Sequence, residues 1–140
     1  MKTIVINIIL TLAVGTALVV VVRQYAPAMW GTMEYFGLCL AVIGFILWTV
    51  ARFQLGKSLT VSAQARQLVT AGIYSKIRNP IYVFGSSLIV GLILAVGRPI
   101  LLLAFLIIIP LQIVRARKES AVLEAAFGEP YRAYRASTWF

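Results

Sequence analysis

Apolar residues in this chain come in long unbroken runs rather than in a repeating stripe. Residues 4–22, 35–51, 80–97 and 99–114 carry no charge, over 19, 17, 18 and 16 positions. A helix crossing the hydrocarbon core needs roughly 20 apolar residues, within a range of about 17–25. The pattern predicts four membrane-spanning helices, of which the last needs support from its neighbours. A soluble helical bundle shows one apolar stripe per helix, not four all-round apolar segments of this length.

Turn chemistry separates the runs. Pro27 and Gly31 break the first connection, and Gly97-Arg98-Pro99 predicts a tight turn that folds the third and fourth helices into an antiparallel hairpin. Residues 52–79 form a polar connection of 28 residues with turn signals at Leu55-Gly56-Lys57-Ser58 and Ala71-Gly72-Ile73-Tyr74. A connection this long is usually functional or carries short helices of its own. Asn79-Pro80 predicts a helix start, with the Asn side chain as cap and Pro at the first helical position. Gly37 and Gly44 lie seven apart on one helix face, where small residues let helices approach. Pro110 is expected to kink the fourth helix. Beyond it the pattern turns amphipathic, and at 100° per residue Arg115, Glu119, Val122, Leu123 and Ala126 share a stripe. The fold class expected is all-α: a polytopic membrane protein of four spans with a helical hairpin and a C-terminal amphipathic cytoplasmic helix.

Composition agrees, with 61% hydrophobic and 12% charged residues, against about half and a quarter in soluble domains. The net charge of +9 does not indicate nucleic acid, because its placement has another reason. With the N-terminus cytoplasmic, 11 of the 13 basic residues fall on the inner side and only Arg23 and Arg98 outside. That is the positive-inside distribution. It predicts a multi-pass protein with both termini cytoplasmic and a basic rim suited to anionic membrane lipids. Ala26-Pro27-Ala28 resembles a signal cleavage site, but the first run exceeds the roughly 7–15 residues of a signal peptide core and Arg23 intervenes. The first helix is therefore read as retained. Cys39 is the single cysteine and there is no histidine, which removes disulfides, zinc sites and imidazole bases. No metal site is expected. Neither a dinucleotide fingerprint nor a P-loop is present. No carboxylate lies mid-span, which weighs against a proton-coupled exporter.

Chemistry is left to two polar islands, one ending in Arg78-Asn79-Pro80-Ile81-Tyr82 and one over residues 115–134. Taken in order, Leu55-Gly56-Lys57-Ser58, Leu68-Val69-Thr70-Ala71-Gly72-Ile73-Tyr74, Arg78-Asn79-Pro80-Ile81-Tyr82, Glu119 and Phe127-Gly128-Glu129-Pro130-Tyr131-Arg132-Ala133-Tyr134 resemble the isoprenylcysteine carboxyl methyltransferase family. That family is related to the phospholipid N-methyltransferases. The resemblance covers roughly residues 48–134. It implies one membrane domain over residues 1–140, with two N-terminal transmembrane helices in 1–52 and a cofactor-binding core in 53–140.

The resemblance further implies S-adenosylmethionine-dependent methyl transfer at the cytoplasmic membrane face to the carboxylate of a prenylated or lipid-like substrate. The implied site takes Tyr74, Asn79, Pro80, Tyr82 and Glu119 to the cofactor, with Glu119 on a polar or cationic part of it and the tyrosines walling adenosine or sulfonium. Arg78 and Arg115 would hold a carboxylate as catalytic residues. Each tyrosine equally suits an interfacial anchor, and Arg115 with Glu119 an ordinary ion pair four residues apart. Two positions depart from the family pattern: Asn79 where the family usually has His, and Glu119-Ser120 where it usually has a Glu pair. Two alternatives stay open, a phospholipid amine N-methyltransferase and a catalytically silent membrane scaffold. The departures favour the scaffold, as does the chain ending at Phe140 where family members often continue. Oligomeric state is not legible.

Overall fold

The computed structural model describes residues 2–56 and 68–140. Among the described residues five α-helices follow one another: α1 (Lys2–Tyr25), α2 (Thr32–Leu55), α3 (Pro80–Ala95), α4 (Phe105–Phe127) and α5 (Glu129–Ser137). Short 3-10 segments occupy Gly72–Ser75 and Pro99–Ala104. No β-strand occurs among the described residues, and one isolated parallel bridge joins Ile77 to Trp139. The expected turn at Leu55-Gly56-Lys57-Ser58 lies partly outside the described residues, as do Lys57 and Arg66.

Among the described residues three segments, Ile4–Tyr25, Thr32–Leu55 and Pro99–Phe127, are long and apolar enough to cross a bilayer. This is a membrane protein. The short apolar helix is the third, not the fourth as the run lengths suggested: α3 has 16 residues and rises about 24 Å. It stops early because Gly97 adopts φ +66°, and the Gly97 and Arg98 amides turn back to the carbonyls of Leu94 and Ile93. Glycine takes this left-handed backbone without penalty.

The core is the α2–α3 seam. A Cβ on Gly37 would stand 2.5 Å from the Ala95 amide nitrogen, one on Gly44 2.7 Å from that of Leu88, and one on Gly91 would overlap the Ala41 amide. The helices therefore meet backbone to backbone along a strip of small residues, as the Gly37/Gly44 spacing suggested. Glu34 fixes the far end of α2 by accepting the Gly31 amide hydrogen bond at 2.8 Å.

The fourth apolar run and the amphipathic stretch form one continuous helix, α4, with Pro110 inside it. The expected division does not occur, since Gln112 to Leu123 is rich in strong helix formers. The predicted hairpin register is visible in two pairs across α3 and α4. Ser86 Oγ donates to Gln112 Oε1 at 3.1 Å, and Tyr82 Oη donates to Glu119 Oε1 at 2.6 Å. The face α4 turns to the molecule is Gln112, buried Ala116, Glu119 and Leu123. The expected stripe shares only Glu119, exposed but bonded to Tyr82, and Leu123 with this face; Arg115, Val122 and Ala126 are exposed and line no part of the cavity beside Glu119. Gln112, counted into the apolar run in the sequence reading, sets the true register by bonding Ser86.

At Gly128 the backbone turns with φ +59°, and α5 folds back. It buries Tyr131 and Tyr134, three apart on one face, and exposes Arg132, Ala133, Arg135 and Ala136. Ion pairs from Arg132 (2.9 Å) and Arg135 (3.8 Å) to Glu124 clip α5 to α4, and a third, Arg132 to Glu129 at 3.2 Å, lies within α5. Exposed pairs of this kind stabilise weakly, by about 0–1 kcal/mol. The tail is held by its backbone: Trp139 N–H donates to Lys76 O at 2.8 Å, Arg78 N–H to Trp139 O at 3.0 Å, and Asn79 N–H to Phe140 O at 2.9 Å.

Candidate active site

Where α3 begins, four parts of the chain converge: the end of α2, the segment 68–82, α4 around Glu119, and α5. They enclose a cavity of about 350 Å³. Six of the seven residues expected at the site, Tyr74, Arg78, Asn79, Pro80, Tyr82 and Glu119, line it. Arg115 does not; both it and Glu119 are exposed, but Glu119 is turned to the cavity by its bond from Tyr82 and has no pairing with Arg115. A single helical turn separates Arg115 from Glu119, but only Glu119 falls on the face that α4 turns to α3.

Each lining residue has a local reason for its position. Gly72 adopts φ +63°, and a Cβ there would stand 2.5 Å from the Gln54 amide nitrogen. The bare glycine lets Gln54 Oε1 accept the Ile73 amide at 3.0 Å, tying the 3-10 segment to α2. That brings Tyr74 inward. Its hydroxyl donates to Ala51 O at 3.3 Å, and Tyr134 Oη donates to Tyr74 O at 2.8 Å. Burial, reinforced by Tyr134 and Glu119, holds the Tyr74 phenol above its ordinary pKa. Burial and Tyr131 do the same for Tyr134. Both remain protonated donors, so Tyr74 offers the cavity its ring and not a free hydroxyl.

Asn79 differs from expectation. Its side chain makes no capping bond, although Pro80 does sit in the first turn and the Asn79 carbonyl accepts from Tyr82 and Val83. Asn79 Nδ2 is instead buried without a partner among the described residues, and so are Arg78 Nε and Arg52 Nε. An unsatisfied buried donor typically costs about 1–3 kcal/mol. Three of them on residues of one cavity mark a wall short of acceptors. Glu119 supplies the opposite charge, its carboxylate accepting the short Tyr82 bond that ionised acceptors favour. Donors, one carboxylate and tyrosine rings suit a zwitterionic ligand with an aromatic or cationic part.

On the other side of Arg78 and Asn79 lies a second cavity of about 370 Å³, reaching Arg117, Ser120, Glu124, Arg135 and Phe140. The two cavities share Arg78 and Asn79 as a common wall. Sequence reading missed three contributors: Arg52, the tail residues 139–140 that brace Arg78 and Asn79, and Gln112. Arg52 was visible as the first charge after a 17-residue apolar run. The tail pairing had no sequence signal.

Residues 32–130 match the profile of the phospholipid methyltransferase family. The chain belongs to this family. The match spans α2, α3 and α4 and every described residue lining the first cavity except Tyr134. Family membership supports a membrane methyltransferase, and S-adenosylmethionine is the methyl source that such membership implies in general. No curated protein matches the chain closely enough to narrow the family further. The donor-rich, tyrosine-walled cavity is chemically compatible with that cofactor's amino-acid, sulfonium and adenosine parts.

Proposed function

We propose that the protein transfers the methyl group of S-adenosylmethionine to a lipid-like acceptor at the cytoplasmic face of the membrane. The observation that carries this reading is the convergence of Tyr82, Glu119, Arg78 and Asn79 on one cavity inside the family-matched segment. Arg78 and Asn79 would hold a carboxylate, Glu119 an ammonium, and the Tyr74 and Tyr82 rings would flank the adenosine or the sulfonium. The bound cofactor supplies an already activated electrophilic methyl group. The protein's part is then alignment and exclusion of water. Tyr82 orients Glu119, and Leu55, Leu68, Val69, Ile81 and Leu123 keep the cavity otherwise apolar.

A carboxylate acceptor, as in prenylated or similarly lipid-like acids, needs no base and is the first reading. The place of Glu119 on the cavity wall supports a second. An amine acceptor has to lose a proton, and Glu119 is the one carboxylate on this cavity able to take it. Labelled S-adenosylmethionine offered with a prenylated thiol acid, and separately with phosphatidylethanolamine in nanodiscs, decides between them. Label in neither lipid, with no cofactor binding, would leave the silent scaffold. Asn79→His sharpens this test: a gain in transfer shows that the residue at 79 tunes the site.

The same reading takes α3 as a fourth span, held against α2 by the glycine seam despite its length, with both termini cytoplasmic. The division of basic residues, 11 to 2, supports this orientation. Reporter fusions after Arg23, Gly72, Arg98 and Phe140 should read out, in, out and in; any other order rejects it.

A further inference from the structure

Helix α1 precedes the family-matched segment, yet it reaches the cavity wall through one polar residue. Asn7 is 2% exposed within an otherwise apolar stretch. Its Oδ1 accepts from Arg52 Nη2 at 3.1 Å, and its Nδ2 donates to Arg52 O at 3.4 Å. Gly56, one turn beyond Arg52, makes room for this amide, since a Cβ there would stand 2.5 Å from Asn7 Nδ2. From the other side, the Trp48 ring centroid lies 5.1 Å from the Arg52 guanidinium carbon. The guanidinium is thus fixed by α1 and by α2 while it lines the cavity.

A cation held beside apolar helices requires compensation, and Asn7 and Trp48 carry no countercharge. The chain has only four acidic residues, Glu34, Glu119, Glu124 and Glu129. Glu34 bonds Gly31 at the opposite end of α2. Glu119 bonds Tyr82, and Glu124 and Glu129 pair with Arg132 and Arg135. None of the four pairs with Arg52. Its Nε is also unpartnered among the described residues. Glu119 lines the same cavity but is engaged by Tyr82, so the half-buried Arg52 guanidinium is left able to take an anion from outside the protein.

We propose that Arg52, positioned by Asn7 of α1, forms an oxyanion subsite on the α2 side of the cavity. Its ligand is a carboxylate or phosphate group borne by a molecule seated there. The identity of that molecule rests on the methyltransferase reading. The subsite itself rests on the charge census and the Asn7–Arg52–Trp48 geometry. Two sources fit, the carboxylate of the cofactor's amino-acid end and the acidic group of a lipid acceptor. Asn7 is a positioning residue, and a positioning role can be separated from a merely structural one. Asn7→Asp places an internal carboxylate on Arg52, keeping the contact while competing with the ligand.

The test uses the full chain in nanodiscs, with wild type, Asn7→Asp and Arg52→Gln first checked for equal thermal stability. Where Arg52→Gln fails to fold, Arg52→Lys, which keeps charge but loses the fork, replaces it. S-adenosylhomocysteine and 5′-methylthioadenosine, which lacks the amino-acid end, are titrated by calorimetry. If the cofactor supplies the anion, both variants weaken S-adenosylhomocysteine at least tenfold and leave methylthioadenosine unchanged. If the lipid supplies it, cofactor binding is unchanged and the KM for an acidic acceptor rises about tenfold at similar kcat. A third arm does not depend on methyl transfer. Phosphatidylglycerol, but not phosphatidylcholine, should change the Trp48 fluorescence of wild type, the change being identified by its loss in Trp48→Phe, and Asn7→Asp should abolish the response. Wild type that binds no S-adenosylhomocysteine but keeps this lipid response defeats the methyltransferase reading and retains the subsite. Stable variants indistinguishable from wild type in all three arms overturn the subsite.

Discussion

The two sides of α3 are built on opposite principles. Toward α2 it presents Gly91, Leu88 and Ala95 to Gly37, Ala41 and Gly44, and the backbones touch. Toward α4 it reaches across with side chains, Ser86 to Gln112 and Tyr82 to Glu119, and the cavity opens at the Tyr82 end. The first seam leaves no room for anything but the helices themselves. The second leaves room for a ligand and lines it with groups lacking partners. Rigidity on one face gives α3 a fixed position from which Arg78, Asn79 and Tyr82 can be aimed at a movable guest.

Gly91→Val should produce the largest effect. Its Cβ would meet the Ala41 backbone, which cannot move as the end of a flexible side chain can. Overpacking usually costs about 1–3 kcal/mol, and a backbone clash belongs at or beyond the upper end. Fluorescence-detected size-exclusion chromatography should show loss of the folded species. A well-folded Gly91→Val protein would break the contrast between the seams.

Tyr82→Phe is next. It removes the 2.6 Å bond to Glu119 without altering the seam with α2. Loss of a hydrogen bond to a charged group is worth about 1.5–3 kcal/mol, so cofactor affinity or transfer rate should fall roughly tenfold to hundredfold. Thermal stability should hardly move. Parallel loss of stability would mean that the bond holds α3 to α4 rather than serving the ligand.

The seam and the site were not equally legible in the sequence. Gly37 and Gly44 declared the close seam because small residues at helical spacing have few other uses. The hairpin was legible from Gly97-Arg98-Pro99, and the convergence of two polar islands followed from it. The α4 stripe was misjudged because Gln112, a polar residue within an apolar run, acts through one tertiary bond that no periodicity reports. Asn79 was expected as a cap from its residue type, but the turn preceding α3 directs its amide inward, unpaired. The tail bridge to residues 76–79 joins segments sixty residues apart, a backbone pairing without side-chain pattern.

That bridge offers a smaller effect. Trp139→Pro removes the amide that donates to Lys76 O, at a cost of about 1 kcal/mol. Arg78 and Asn79 lose part of their brace, so ligand affinity should fall by about fivefold in a titration with S-adenosylhomocysteine. Ser86→Ala should do least. Interhelical hydrogen bonds in membranes average about 0.6 kcal/mol, so a small fall in thermal midpoint with unchanged ligand affinity is expected. A large loss of affinity would extend the site to the middle of α3.

Calorimetric titration of purified wild type and Glu119→Gln with S-adenosylhomocysteine tests the central claim, that the open side of α3 is a cofactor site, most directly. The substitution keeps the side chain's size and removes its charge. One-site binding is expected in wild type, weakened roughly tenfold to hundredfold in the variant by loss of a charged interaction of about 1.5–3 kcal/mol, at equal thermal stability. Absence of binding in wild type at about 1 mM ligand, or equal affinity in both proteins, would contradict it.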